Sequence, residues 1–344
     1  MTKIYPVGKY KESKKLFIRE ITPDQLGMAF ALSYKKLIVD EENDDLDIII
    51  FANGNRVKDV SKDNLHPYQE RDYVSKIYNY FKNKNRNLMI FHILLDPDIS
   101  LNIDSKIFAH YIDFLASKSN VKTINLIGHS KCGPVFFNMP KYFKNPTSFE
   151  KTSLVTTASP FAGCLIATPN LFFKEVRTVI DNTLPAPLNN LVFNALSKYY
   201  NGTSSNSRMD NDIALPGFES DKYDPDFIKK LFDLENINAV KHLRYYHNFT
   251  TGVDDTSLIK SLKRGDFTSV GLCLMDRYFM SELTDGFIEV SSQEKVNEHL
   301  DHPSSKVTSA THYFLSHEDE LAIILDYINN KLNELEEQKI YSKK

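Results

Sequence analysis

Val121-Lys-Thr-Ile-Asn-Leu-Ile-Gly-His-Ser-Lys-Cys-Gly-Pro-Val-Phe-Phe137 decides how the rest of the chain is read. Val121, Ile124, Leu126 and Ile127 form a β-rich apolar run too short for a helix. The run stops at Gly128, and Gly133 and Pro134 open a second apolar stretch of helical character. Ser130 sits at the corner between them. A serine on a strand-to-helix turn in the pattern G-x-S-x-G is a nucleophile elbow, whose sharp turn lifts the hydroxyl clear of the sheet. The turn needs small neighbours because strand and helix backbones pass close together. Here Cys132 takes the last glycine position and a glycine follows one place later. Cysteine is small enough to be tolerated there. The bland alternative is a strand ending in an ordinary Gly-His-Ser turn.

Upstream, the run Leu46-Asp-Ile-Ile-Ile-Phe-Ala52 suits a strand covered on both faces. Asn53-Gly-Asn-Arg56 ends it. A helical pattern with Tyr73, Val74, Ile77 and Phe81 on one side follows His66-Pro67. Leu88 to Leu95 is a second buried strand, and Ile107, Phe108, Tyr111, Ile112 and Leu115 fall at helical spacing. The corner strand is third in this series and Ser153 to Ala158 the fourth. Lys15 to Arg19 and Leu32 to Val39 are candidate edge strands. Strand and helix alternating at this rhythm predict crossover connections and a mainly parallel sheet with helices on both faces. Ligands of such sheets bind beyond the carboxyl ends of the strands. Gly54, Ser130 and Ser159-Pro160 all fall at those ends.

From 163 to 240 the alternation stops. Leu171, Phe172, Val176, Val179 and Ile180 are at helical spacing, as are Leu188, Leu191, Val192 and Leu196. Asp224 to Leu234 is a further helix candidate. The sheet pattern resumes afterwards, so this block reads as a helical insertion, a lid or cap, within one domain spanning 1 to 344. Its aromatic residues either pack onto the core or cover an apolar pocket. A lid of that kind would also offer a transient contact with a membrane surface. His242 to Thr251 resumes as a strand and Lys306 to Ser309 is the last short one. Ser316 is placed to cap a final helix, on which Leu321, Ile324, Leu325, Ile328, Leu332 and Leu335 share one face.

A serine hydroxyl is a weak nucleophile until a base takes its proton, and a third group must orient that base. Histidine is the usual base. Of ten histidines, His129 adjoins the nucleophile and the elbow should point it away from the serine. His66, His92 and His110 precede the elbow, and His92 lies within a buried strand, where a core role suits it better. His312, in a loop just before the terminal helix, is favoured, with His317 its rival. For the orienting carboxylate, Asp285 in Leu283-Thr-Asp-Gly-Phe-Ile288 is best placed, and Asp254, Asp255 and Asp276 are alternatives. The oxyanion of a tetrahedral intermediate needs backbone N–H donors. Lys131 would supply one and Asn55 the other.

The composition sets limits. The 42 basic and 45 acidic residues give a net charge of −3, which is no footprint for nucleic acid. Cys132, Cys164 and Cys273 are odd in number and lack C-x-x-C spacing, as suits free thiols in a reducing compartment. The first fifteen residues lack the apolar core of a signal peptide, and no run of about 18 apolar residues occurs. A cytoplasmic location is therefore expected. N-G-T at Asn201 and N-F-T at Asn248 fit the glycosylation pattern without a secretion signal to give them meaning.

Four short segments resemble the lipase and esterase branch of the α/β-hydrolase superfamily. Ile127-Gly-His-Ser-Lys-Cys-Gly133 is similar to a G-H-S-x-G-G elbow, and Thr156-Thr-Ala-Ser-Pro-Phe-Ala-Gly163 to a T-P-H-x-G segment. Thr284-Asp-Gly-Phe-Ile-Glu-Val-Ser-Ser292 resembles the D-G-x-V…S segment that bears the aspartate, and Thr311-His-Tyr-Phe-Leu-Ser316 the loop that bears the histidine. The order Ser, Asp, His is the one this superfamily uses. The usual His-Gly before the oxyanion residue is here Asn53-Gly54, and the histidine of T-P-H-x-G is Phe161. The resemblance implies a serine hydrolase of carboxylic esters, small-molecule or lipid, that calls for no metal or organic cofactor. A thioesterase or amidase of the same fold is the nearest alternative, and a catalytically silent binding scaffold the more distant one.

Overall fold

The structure, a computed structural model, describes residues 16–17, 30–37, 40, 42, 45–53, 73–84, 86–94, 100–164, 174, 177–178, 180–182, 190, 193–194, 227–265, 283–285, 288–300, 305–307, 310–312, 315 and 318–341. Within them, eight strands form one sheet: β1 (Leu16–Phe17), β2 (Phe30–Leu37), β3 (Leu46–Asn53), β4 (Leu88–Leu94), β5 (Val121–His129), β6 (Thr152–Thr157), β7 (Tyr245–Thr251) and β8 (Ser305–Val307). Their spatial order is β1-β2-β4-β3-β5-β6-β7-β8. β1 and β2 are antiparallel to their neighbours, and every later pairing is parallel.

The three central strands are those whose sequences are nearly unbroken apolar runs. Ile48, Ile49, Ile50 and Phe51 of β3 are all buried, because side chains on alternate faces both meet helices. On one face, Ile48, Ile50, Leu126 and Leu154 pack with α2 (Leu101–Ala116) and α3 (Cys132–Asn138) through Phe108, Ile112, Val135 and Phe136. On the other, Ile49, Phe51, Leu88 and Ile90 pack with α1 (Tyr73–Phe81) through Ile77 and Phe81. The terminal helix α9 (Glu318–Tyr341) joins this second core through Leu321, Ile324, Leu325, Ile328 and Leu332. Each such side chain contributes about 1.5–3 kcal/mol on burial.

α9 is also fastened by charge. Arg86, just before β4, donates to Asp47 at 3.3 Å and to Glu336 at 3.0 Å, and its guanidinium also meets Asn333. Arg86 and Asp47 are buried, so each satisfies the charge of the other.

The expected strands are present with small shifts at their ends. β7 starts at Tyr245 rather than His242, because His242 caps α6 (Leu234–Lys241), its N–H bonded to carbonyls of the last turn. The helix proposed over 224–234 is instead a short α5 (Phe227–Lys230) followed by α6. α2 begins at Leu101, where the Ser100 hydroxyl accepts from the Ile103 N–H. α4 (Pro146–Lys151) and α7 (Asp255–Arg264) were not anticipated. Most of the block from 163 to 240, and the capping role of Ser316, lie outside the described residues, as does the side chain of Val74.

The mainly parallel sheet, in this strand order and with helices on both faces, is that of the α/β-hydrolase fold.

Candidate active site

β5 ends at His129, α3 begins at Cys132, and the turn between them places Ser130 at φ 57°. A left-handed conformation is costly for any residue but glycine and persists only where the surroundings enforce it. The Ser130 N–H donates to the Thr157 carbonyl at 3.0 Å, and the Gly133 N–H closes the turn onto the Ser130 carbonyl at 3.0 Å. Ala158, at the end of β6, is also left-handed (φ 47°), and its N–H reaches the Phe249 carbonyl at 3.1 Å. The Ser159 hydroxyl donates at 3.0 Å to the same Thr157 carbonyl that holds Ser130.

Two glycines make the corner possible. A Cβ on Gly128 would lie 2.9 Å from the Cys132 carbonyl oxygen, and one on Gly133 only 1.9 Å from Ser159 Oγ. Neither has room for a side chain: at Gly128 the obstacle is backbone, and at Gly133, one place beyond the motif, it is the Ser159 side chain. At Cys132 the side chain is buried in the core. Burial pushes its thiol pKa well up, the nearby Asp104 carboxylate adds to this, and Lys131 opposes it. The thiol next to the corner is therefore neutral near pH 7 and no rival to the hydroxyl.

Ser130 Oγ lies 3.0 Å from His312 Nε2, and His312 Nδ1 lies 2.9 Å from Asp285 Oδ2. An ionised carboxylate can only accept, so Nδ1 carries the hydrogen and Nε2 keeps its lone pair for the serine hydroxyl. All three residues are buried, Asp285 completely. The His312 N–H also donates to the Asp285 carbonyl at 2.8 Å, which ties the two loops together. Asp285 Oδ1 accepts from the Ile288 N–H at 2.9 Å, and Oδ2 accepts from the Thr251 hydroxyl at 2.9 Å. Ser292 on α8 (Val290–Glu294) donates to the Gly163 carbonyl at 2.5 Å and accepts from the Ala162 N–H at 3.0 Å. That pair fastens the segment after β6 to the aspartate loop.

The alternatives weighed from sequence fare differently. Asp254 accepts from the Ser257 N–H at 2.9 Å in a capping box that starts α7, and Asp255 is exposed on the first turn of that helix. His92 is a core residue packed against Phe51 and Tyr73. His129 packs beside the candidate base. Its ring lies 4.8 Å from that of His312, and its Nδ1 is 3.0 Å from Thr157 Oγ1. Asn248 of the N-F-T pattern is buried in β7. His317, Asp276, His66, Gly54 and the oxyanion candidate Asn55 lie outside the described residues. Lys131, the other oxyanion candidate, follows Ser130 directly and is half-buried.

Sequence reasoning missed Thr251, whose hydroxyl holds Asp285. Its only signal was its place at the carboxyl end of a strand. Among the described residues, no group of three or more His, Cys, Asp or Glu side chains is arranged to hold a metal ion. No helix among them is long and apolar enough to cross a membrane.

No family model matches the chain, and neither does any curated protein. Several solved structures are similar in chain course. Est1E from Butyrivibrio proteoclasticus has 8% identity and a TM-score of 0.47 over 93% of this chain and 100% of that one. The Bacillus licheniformis lipase BlEst2 has 10% identity and a TM-score of 0.43 over 82% and 91%. The esterase domain of a Rhodothermus marinus protein has 13% identity and a TM-score of 0.39 over 88% and 90%. Likeness at this level carries nothing about chemistry or substrate.

Proposed function

We propose that this chain is a serine hydrolase of carboxylic esters, with Ser130 as nucleophile, His312 as base and Asp285 as the group that orients it. The observation supporting this is the hydrogen-bonded line from Asp285 Oδ2 through both nitrogens of His312 to Ser130 Oγ, ending on a strained corner. Ser130 Oγ attacks the ester carbonyl carbon while Nε2 takes its proton. The resulting oxyanion is met by the backbone N–H groups of Lys131 and Asn55. Collapse breaks the bond to the alcohol, which leaves with the proton from Nε2. Water then repeats the sequence on the acyl-enzyme, releasing the acid and restoring the Ser130 hydroxyl. Asp285 stabilises the imidazolium that forms in each half.

The apolar sequence between 163 and 240 favours acyl or lipid-like esters over small polar ones. Hydrolysis of a panel of p-nitrophenyl esters and phospholipids by the parent and by Ser130→Ala tests this reading. Turnover by the parent and its loss in the variant are expected. Equal rates for the two proteins would contradict it, and a parent active only on thioesters or amides would move the substrate class.

A further inference from the structure

The side-chain amide of Gln293 meets Thr251 and Ile288, both of which hydrogen-bond Asp285, and the Asp285 carboxylate as well. The residue lies on α8 and is completely buried. Its Oε1 accepts from the Thr251 N–H at 2.8 Å and lies 3.3 Å from the Thr251 hydroxyl. Its Nε2 faces the Thr251 carbonyl at 3.1 Å, the Ile288 carbonyl at 3.1 Å and Asp285 Oδ2 at 3.3 Å. One side chain thus pairs with both backbone groups of the last residue of β7, with the loop that follows Asp285, and with the carboxylate itself.

A carboxamide matches these neighbours at every pH, since it has no proton to lose. It offers its acceptor to the Thr251 N–H and two N–H groups to the three acceptors around it. A glutamate would present oxygen to those three acceptors, and an apolar side chain would leave buried backbone groups unpaired. The main chain of Gln293 is held as well, since its carbonyl accepts from Asn248 Nδ2 at 2.9 Å and its N–H donates to the Glu289 carbonyl at 3.1 Å. Asn248 in turn accepts from the Thr156 hydroxyl at 2.9 Å. The chain of contacts runs from β6, next to the serine corner, to the oxygen that faces the imidazole.

We propose that Gln293 is a positioning residue, which fixes Asp285 Oδ2 against His312 Nδ1 by clamping the end of β7 to the aspartate loop. The proposal rests on the assignment of Ser130, His312 and Asp285 given above. A residue that merely filled space under α8 would affect stability alone. A residue that sets the Asp285–His312 contact would affect turnover, and would do so according to the charge placed at position 293.

Gln293→Glu and Gln293→Met, assayed for kcat and KM across pH beside the parent and Ser130→Ala, separate these roles. Among the described residues, the other ionisable groups around the contact are His129 from β5, His312 and Asp285 themselves, and Glu289 and Glu294 near Gln293 in the chain. None changes between the proteins, so differences in profile belong to position 293. In Gln293→Glu two buried carboxyl groups stand close enough to share one proton. While that proton is present a donor to Oδ2 survives. When it leaves at higher pH, the two charges repel and Asp285 is displaced. The expected kcat of Gln293→Glu therefore falls by about tenfold or more on the alkaline side where the parent stays level, with KM within about threefold. Gln293→Met should lose about tenfold in kcat at every pH, again with little change in KM. If Gln293→Met fails to fold, the Gln293→Glu profile decides alone. Parent-like kcat and parent-like pH dependence in a folded Gln293→Glu would overturn the proposal. So would a loss that is uniform with pH and matches the fraction unfolded. A parent whose turnover survives Ser130→Ala would instead remove the assignment on which the proposal rests.

Discussion

The hydroxyl oxygen of Ser130 lies 3.0 Å from Nε2 of His312, although 182 positions of sequence separate them. Ser130 is delivered by the end of β5 and His312 by the loop after β8, with β6 and β7 between those strands in the sheet. The contact depends on the corner at Ser130, which raises the hydroxyl above the strand ends, and on the 2.8 Å bond from the His312 N–H to the Asp285 carbonyl.

Because the two groups act on one proton, their removal should be far from additive. His312→Ala should reduce kcat/KM on an activated ester to within about tenfold of Ser130→Ala, and the double variant should be no slower than the worse single one. Steady-state assays of the three proteins check this. Multiplying effects would mean that the serine and histidine work independently.

The acid can be identified by comparison with Asp254. Asp285→Asn keeps the shape but loses the charge that holds the imidazole, so activity should fall by about 10³- to 10⁴-fold. Asp254→Asn should leave activity unchanged, because asparagine caps a helix as well as aspartate does. Asp254→Ala should cost about 0.5–2 kcal/mol of stability with activity intact. A ranking in which Asp254→Asn is the inactive protein would reassign the acid.

The corner should respond to volume at Gly133. Gly133→Ala places a Cβ 1.9 Å from Ser159 Oγ and 2.5 Å from Ser159 Cβ, an overpacking that costs about 1–3 kcal/mol. Ser159→Gly removes both atoms, and the next neighbour, Thr156 Cβ, is at an ordinary 3.6 Å. The double variant should therefore be more stable than Gly133→Ala alone in denaturant unfolding. Equal midpoints would show that the clash is relieved elsewhere.

Cys132 stands two residues from Ser130, and the raised pKa of its buried thiol leaves almost no thiolate near neutrality. Iodoacetamide at pH 7.5 should leave ester turnover intact. Because the shift is upward, reactivity should emerge only in strongly alkaline solution. Rapid inactivation at pH 7.5, prevented by Cys132→Ser, would contradict the burial described for this side chain.

Arg86 and Glu336 contact each other but should differ in weight. Arg86→Met takes the paired guanidinium from buried Asp47, leaving it the Thr123 hydroxyl at 2.6 Å, and should cost about 3–5 kcal/mol. The Glu336 side chain is 43% exposed, so Glu336→Gln should cost less than about 1 kcal/mol. Thermal unfolding of both variants measures the difference, and similar losses would place the main attachment of α9 at Glu336.

The parts of the fold that were legible in the sequence are those in which burial is written as composition. β3, β4 and β5 are apolar runs because both faces meet helices, and the terminal helix shows its face as Leu321, Ile324, Leu325 and Ile328. α7 was hidden because it is patterned in reverse. Ser257 and Ser261 face inward while Ile259 and Leu262 are exposed. The first turns of α2 were hidden likewise, since Asp104 and Ser105 are buried polar residues where an apolar stripe would be sought. In the site, the corner serine, the aspartate and the histidine were each marked by a local pattern. Thr251 and Gln293 were not, because a residue that hydrogen-bonds a reactive group from a neighbouring element leaves no pattern of its own.

The most direct measurement is the reaction of the folded protein with a fluorophosphonate, followed by intact mass and peptide mapping. An activated serine displaces fluoride and retains the phosphonyl group, whereas ordinary surface serines do not react. The expected result is a single adduct on the peptide containing Ser130, absent from Ser130→Ala and strongly slowed in His312→Ala. A folded protein that stays unlabelled, or an adduct on another serine that persists in Ser130→Ala, would contradict the assignment of Ser130 as an activated nucleophile.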